Sequence, residues 1–464
     1  MRVLMLGWEY PPHISGGLGT ACEGLTRSLA RLGVEITFVV PHLFGDETAE
    51  HISLVSPRFG REQEERLQLA GGSIPVPLQH IAETLFAMPT SEIRSSKTAT
   101  IQQIRIPAFL MPYWNAETFQ QELKSFQSFL KRSATKFISM PRELLLWGDA
   151  VTDLPRERYG HNIFDEVRRF TAQVLCLADT VAFDVIHAHD WMTFPAAVAL
   201  AEITRKPLIV HVHSLEYDRS GHHINHQIHQ IEHMGLARAD RVIAVSYYTS
   251  SIIQKQHHIP EQKIGVVHNG VYAREIVETY RKSEGAQRKT VLFLGRVTFQ
   301  KGPDYFVEAA AKVIPLVPDV LFVMAGAGDM LGRMVERVRQ LGITDHFRFP
   351  GFLRGEDVEE MFSTADLYVM PSVSEPFGIS ALEAISFDTP VILSKQSGVS
   401  EVLRHVLKVD FWDIEKMADL IINALLYPEL REDMITMARE EVKRLRWDAA
   451  AVKVLEQYRR FLKP

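Results

Sequence analysis

What this chain has little of sets the first limits. Only two cysteines occur in 464 residues, Cys22 and Cys176, both in helix-like contexts. That excludes a disulfide framework and argues against a cysteine zinc site, and it makes reduced cytoplasm the expected setting. No run of about 18 or more apolar residues is present, so a membrane-spanning helix is not expected. The opening MRVLMLGWEYPP reads as one short strand, without the apolar length or small-residue cleavage site of a signal peptide. Positive charge is not in excess either: 51 Lys and Arg face 57 Asp and Glu, a formal net charge of −6. General nucleic-acid binding needs a basic footprint and is excluded on that ground, so any phosphate site must be local.

What is present is a long, apolar-patterned α/β chain. Its length exceeds one ordinary core. Short β-rich runs, VLMLGW, EITFVVP, DVIHAHD, PLIVHVH, RVIAVS and KIGVVHNG, alternate with helical patterns, as parallel strands of a doubly wound sheet do. A second series follows in TVLFLGRV, VLFVMAGAG, HFRFPGF, LYVMPS and PVILSK, after a polar linker from Arg274 to Lys289. The expectation is two Rossmann-like domains, residues 1–273 and 290–445, with a final amphipathic helix in 446–464 marked by Trp447, Val454, Tyr458 and Phe461. For that last helix, packing back on the N-terminal domain is one option.

The segment from about 47 to 159 interrupts the first series with polar, proline-dotted, irregularly helical sequence and reads as an insertion. Within it, Lys124, Lys131, Arg132, Lys136 and Arg142 interleave with Phe119, Phe126, Phe129, Phe137 and Leu144 to Leu146. A helix packed on its own domain with a solvated basic face is the expectation, with a membrane-surface helix as the alternative.

Two glycine turns and a pair of cations carry the chemistry. In GWEYPPHISGGLGTACEGL, Gly16, Gly17 and Leu18 stand between a strand and a helix whose apolar face is Leu18, Ala21, Leu25, Leu29 and Leu32. Backbone N–H groups at a helix N-terminus favour an anion, so this turn is either a phosphate cradle or a tight corner. In FLGRVTFQKGPD, Arg296 and Lys301 follow a strand and precede a helix beginning near Pro303, where a ligand of an open α/β sheet lies. An Arg fork and a Lys point charge together suit a diphosphate. In MPSVSEPFGISALEAISF, Glu375 sits in a loop, and Gly378, Ile379 and Ser380 start a helix that carries Glu383. Glu383 suits ribose hydroxyls, and Glu375 suits those of a second sugar.

These motifs together resemble the retaining GT-B glycosyltransferases, most nearly the bacterial and archaeal glycogen-synthase-like and group 1 families. The resemblance covers nearly all the chain except the insertion, and implies two Rossmann-like domains facing across a deep cleft. It implies that Gly16, Gly17 and Leu18 face the donor diphosphate, that Arg296 and Lys301 clamp it, that Glu375 binds the transferred sugar and that Glu383 binds the ribose. FDVIHAHDWMT resembles the motif that places an aspartate, here Asp190, in the cleft beside His189. LIVHVHSLEYDRSG resembles the strand whose final histidine, here His213, lies near the reacting centre, although Ser214 stands where glycogen synthases have Asn. Asn269 of VVHNGV falls at the inter-domain corner.

The implied reaction is hexose transfer, glucose being the expected sugar, from a nucleotide sugar such as ADP-glucose or UDP-glucose to a glucan or oligosaccharide. No metal and no further cofactor is expected. Retention would follow from front-face attack, with the departing diphosphate taking the acceptor proton. Transfer to a small-molecule or lipid acceptor, as in sucrose or trehalose synthesis, and a non-catalytic sugar-nucleotide sensor are the alternatives. Separately, His222, His226, His229 and His233 suit one helical face, but without an HExxH pattern they are expected to be polar surface and not a zinc site.

Overall fold

The computed structural model describes residues 1–12, 17–41, 52–55, 101–105, 163–175, 181–272 and 288–462. Gly16, Cys176, the basic and aromatic segment and nearly all of the polar linker lie outside the described residues. The chain folds into two compact units. One comprises Met1–His211, Ile231–Val242 and Tyr458–Pro464, the other Val212–Gln230 and Ile243–Gln457.

Two sheets are present among the described residues. In the first, β1 (Arg2–Leu6), β2 (Glu35–Val40), β3 (Ile52–Val55), β4 (Ile101–Arg105), β5 (Val185–His189), β6 (Leu208–Val212), β7 (Arg241–Ala244) and β8 (Ile264–Val266) lie in the order β3-β4-β2-β1-β5-β6-β7-β8. The pairings from β3 to β6 are parallel, with Leu4 opposite Thr37 on one side and Ile186 on the other. In the second, β9 (Lys289–Leu294), β10 (Val320–Ala325), β11 (Phe347–Gly351), β12 (Leu367–Met370), β13 (Val391–Ser394) and β14 (Leu407–Val409) lie in the order β11-β10-β9-β12-β13-β14. This is the strand order of a Rossmann fold. Strands β3 and β4 fall inside the segment expected to interrupt the series, so part of it extends the sheet instead.

The second sheet shows why its sequence reads as near-continuous apolar runs. Along β9, Val291 and Phe293 join one buried cluster and Leu292 the other. Along β10, Val320, Phe322 and Met324 alternate in the same way with Val323 and Ala325. Successive side chains point to opposite faces, and both faces are covered. One face packs on the helices Pro303–Val313, Leu331–Gln340 and Ile414–Leu426 through Phe306, Met334 and Met417. The other packs on Glu356–Thr364, Ile379–Ser386 and Pro428–Val442 through Phe362, Leu382 and Val442. Each such side chain, fully buried, contributes about 1.5–3 kcal/mol of hydrophobic stabilisation.

In the first unit the helix Gly17–Arg31 buries Ala21, Cys22, Leu25 and Leu29. Leu32, expected on that face, falls beyond the helix and is exposed, because Gly33 with φ 79° turns the chain away. The helix Trp447–Arg459 forms with Trp447, Val454 and Tyr458 buried, whereas Phe461, expected on the same helix, lies beyond its end and is half-buried. Tyr458 belongs to the first unit, where its hydroxyl lies 2.5 Å from His187 Nδ1. No helix among the described residues is long and apolar enough to cross a membrane.

Candidate active site

In an open parallel sheet, ligands bind outside the carboxyl ends of the strands where the strand order reverses. In the second sheet that point lies between β9 and β12, which are neighbours although β10 and β11 separate them in sequence. Lys301 follows β9, and Glu375 follows β12. A glycine draws the two loops together: Gly302 has φ 63°, and a Cβ there would collide with the carbonyl oxygen of Pro371. The outcome is direct contact, with Lys301 Nζ 2.5 Å from Glu375 Oε2. Ser372 donates to the same oxygen at 3.1 Å. Glu375 is buried, while Lys301 is less so at 22% side-chain exposure, and solvent reaches the pair from the lysine side. Arg296, on the same loop, is exposed and donates to Gln300 Oε1 at 3.2 Å.

The glutamate loop is held by its backbone as well. Glu375 N–H donates to the Gln396 carbonyl at 2.9 Å, and its own carbonyl accepts from Gly398 N–H at 2.9 Å. Gly378, with φ 108°, then starts the helix Ile379–Ser386, so Gly378, Ile379 and Ser380 are the helix-start residues that the sequence predicts. Ser380 Oγ meets Tyr368 OH at 2.9 Å, and burial pushes the Tyr368 phenol above its ordinary range. Glu383 sits a turn further on and is half-buried. Lys301, Glu375 and this helix start therefore share one end of one sheet.

The first sheet reverses between β1 and β5 in the same way. After β1, Gly17 opens the helix and Leu18 follows, and a Cβ on Gly17 would meet nothing within 4 Å. The Glu9 carboxylate already accepts from Gly19 N–H at 3.2 Å, so an anionic group does occupy this helix start. After β5, Asp190 adopts φ 59°, uncommon for a residue other than glycine and a form of strain that gathers at functional sites. Its conformation is held by Asp190 N–H donating to His211 O at 3.0 Å, and by Thr193 Oγ1 donating to the carbonyls of His189 and Asp190 at 2.9 and 3.0 Å.

His213 follows β6 in the chain and is partly exposed, but its surroundings are dense enough that burial pushes its imidazole down to about 3. It is neutral at pH 7 and suits hydrogen bonding, not charge. Asn269 is buried beyond β8, beside a backbone crossing where a Cβ on Gly270 would strike Arg446 and Trp447.

The histidine-rich stretch is arranged differently from the expected single face. The helix begins at His226, because Asn225 Oδ1 accepts from Gln227 and Ile228 N–H groups and fixes the start there. His222 and His223 lie before it. Sequence reasoning missed instead a buried stack in the first unit: His187 on His189 at 4.4 Å between ring centroids, with His211 5.4 and 5.3 Å from them. The three rings lie within 29° of parallel, and each offers a ring nitrogen within 4.8 Å of the others. The alternation His187-Ala188-His189 was the available signal, since residues two apart on a strand share a face.

The starch synthase catalytic domain family matches residues 2–269, and the group 1 glycosyl transferases match residues 277–441. An uncharacterized glycosyltransferase of Methanocaldococcus jannaschii is 32% identical over 99% of this chain and 98% of its own length. This chain is a glycosyltransferase of the group 1 and starch synthase type. Among solved structures, a sucrose-phosphate synthase from Thermosynechococcus elongatus superposes with TM-score 0.68 at 18% identity, covering 99% of this chain and 98% of that one. Anabaena HepE, crystallised in complex with UDP-glucose, superposes with TM-score 0.63 at 15% identity, covering 99% and 100%. The fold of the glycosyltransferase is accordingly GT-B, with two Rossmann-like parallel sheets.

Proposed function

We propose that this glycosyltransferase moves a hexose, glucose, from a nucleoside diphosphate sugar to an α-glucan or oligosaccharide with retention of anomeric configuration. One observation carries the reading: Lys301 and Glu375 meet at the β9/β12 switch point, beside the helix start at Gly378. Breaking the anomeric C–O bond puts negative charge on the departing diphosphate and positive character on the sugar. Lys301, Arg296 and the N–H groups of Gly378 to Ser380 are the groups to stabilise the first, a term of about 3–4 kcal/mol for a single well-placed donor. Glu375 holds the sugar hydroxyls, and Glu383 the ribose.

When the diphosphate arrives, Lys301 exchanges its contact with Glu375 for phosphate oxygens, which frees the carboxylate for the sugar. Asp190, Gly16, Gly17 and Leu18 of the first unit are assigned to the same reaction. His213, as a neutral imidazole, and Asn269 are assigned to orienting the sugar. The acceptor hydroxyl attacks the face from which the diphosphate leaves, and the diphosphate takes its proton. No metal is assigned a part. The starch synthase match supports the α-glucan acceptor, the UDP-glucose complex of HepE supports the nucleotide-sugar donor, and the scarcity of cysteine supports a cytoplasmic setting.

The test is a matrix of nucleotide sugars against acceptors, read by released nucleoside diphosphate, product mass and the anomeric configuration of the product by NMR. An α-linked glucan made from ADP-glucose or UDP-glucose is the expected result. A β-linked product overturns retention, a disaccharide or glycolipid redirects the acceptor, and donor binding without turnover on any acceptor makes the chain a sensor.

A further inference from the structure

Asp218 is fully buried, and both of its carboxylate oxygens are engaged within the second unit. Oδ2 accepts the Leu215 N–H at 2.7 Å, and Oδ1 accepts the Ser374 hydroxyl at 2.5 Å. A serine has one hydroxyl proton, and here it is committed to Asp218. The 3.0 Å contact between Ser374 and Tyr248 therefore runs the other way, with the Tyr248 hydroxyl donating to Ser374 Oγ. Burial raises the Tyr248 phenol, so it keeps the proton that this direction requires.

Ser374 is the residue before Glu375, and the loop is pinned on either side of that glutamate. Upstream, Val373 N–H donates to the Gln300 carbonyl at 2.9 Å, which ties the loop to the residue before Lys301. Downstream, the Pro376 carbonyl accepts from Ser246 Oγ at 2.6 Å and from Thr249 Oγ1 at 3.2 Å. The Ser374 N–H also donates to the Gln300 carbonyl, at 3.4 Å, and the backbone of Glu375 is bonded to Gln396 and Gly398, so the Ser374 side chain adds a further hold on the loop directly before Glu375, beside the Lys301 and Ser372 contacts to its carboxylate. A buried carboxylate is costly to desolvate, and a neutral group would tether a loop at less expense. What this carboxyl adds is direction: with both oxygens accepting, it fixes the sense of donation along Tyr248, Ser374 and Asp218.

We propose that Asp218 acts through Ser374 as a positioning residue for Glu375, setting the loop so that the carboxylate rests against Lys301 and faces the transferred sugar. The role rests on the assignment of Glu375 to the donor sugar. Asp218 touches no substrate in this scheme.

The test uses the full chain with Ser374→Ala, Ser374→Thr and Asp218→Asn. Ser374→Ala removes that hold and leaves the Leu215 contact intact. Asp218→Asn keeps size and places an amide NH₂ opposite either Leu215 N–H or Ser374 Oγ, breaking one donation or reversing the other. Both are expected to lower kcat about 10- to 100-fold, the scale of a misplacement near 1 Å, with the donor KM moving less than about threefold. Ser374→Thr, which keeps the hydroxyl, is expected within about threefold of wild type. Crystal structures of wild type, Ser374→Ala and Ser374→Thr supply a readout that needs no turnover. The Lys301 Nζ to Glu375 Oε2 contact should persist in the first and third and be lost in the second. Wild-type kcat in Ser374→Ala, or an unmoved Glu375 in its crystal structure, overturns the proposal. If wild type releases diphosphate from no donor, the sugar-binding role of Glu375 fails, and the crystal structures still decide whether Ser374 positions it.

Discussion

Lys301 Nζ and Glu375 Oε2 stand 2.5 Å apart, so the two side chains assigned to adjoining parts of the donor, its diphosphate and its sugar, are bonded to each other. The pair joins loops 74 residues apart in sequence. Removing either partner strands the other, and the costs differ. Lys301→Ala leaves a buried carboxylate with Ser372 and removes the charge that faces the leaving group. It is expected to lower kcat about 10²- to 10³-fold. Lys301→Arg keeps the charge but not the compact geometry, and should recover less than about a tenth of the activity. Steady-state kinetics, with circular dichroism to verify folding, decides it; near-wild-type turnover in Lys301→Ala would remove Lys301 from the diphosphate site.

The same contact depends on Gly302. Its φ of 63° costs an L-residue about 1–2 kcal/mol, and a Cβ would in addition press on the Pro371 carbonyl. Gly302→Ala should therefore destabilise the protein by about 2 kcal/mol or more and weaken activity together with stability. Urea denaturation measures the first. A midpoint equal to wild type would show that the loops do not need this close approach.

How much of this was legible in sequence follows from distance along the chain. Strands β1, β2, β5 to β10, β12 and β13 were readable because burial makes them largely apolar runs, and the edge strand β11 by the alternation of Phe347 and Phe349 with exposed Arg348 and Pro350. Strand β4, IQQIR, is apolar only at its two isoleucines, and β14, LKV, carries a central lysine and buries only Val409, so neither announces itself. The helix start at Gly378 and the spacing of Glu375 and Glu383 were readable because they are local. The contact of Asp218 with Ser374 was not, since 156 residues separate two ordinary polar side chains and only the fold joins them. The histidine face was misread for want of one cap: Asn225 sets the helix start, and His222 falls outside it.

Gly17 offers the opposite case to Gly302. A Cβ at Gly17 meets nothing within 4 Å, so Gly17→Ala should leave stability within about 0.5 kcal/mol of wild type or raise it. If the turn serves close approach by the diphosphate, the bulkier Gly17→Val should raise the donor KM or lower kcat at least about tenfold while the urea midpoint stays near that of wild type. Undiminished turnover in Gly17→Val would return the turn to a plain corner.

His213 makes a prediction about acid. Its imidazole, held near 3 by burial, stays neutral in the folded protein while the unfolded chain takes up a proton near 6.5. Between these values the unfolded state binds more protons, so stability rises with pH and its slope is positive. The contribution is intact above about 6.5 and is lost progressively as pH falls toward 3. His213→Gln should lose less stability between about pH 7 and pH 4.5 than wild type does, measured by urea denaturation at each pH. The kcat profile of wild type should correspondingly show no inflection near 6.5 that His213→Gln abolishes. A His213 ring proton titrating by NMR with a midpoint near 6.5, or equal pH slopes in the two proteins, would show that the imidazole is solvated and available as a cation.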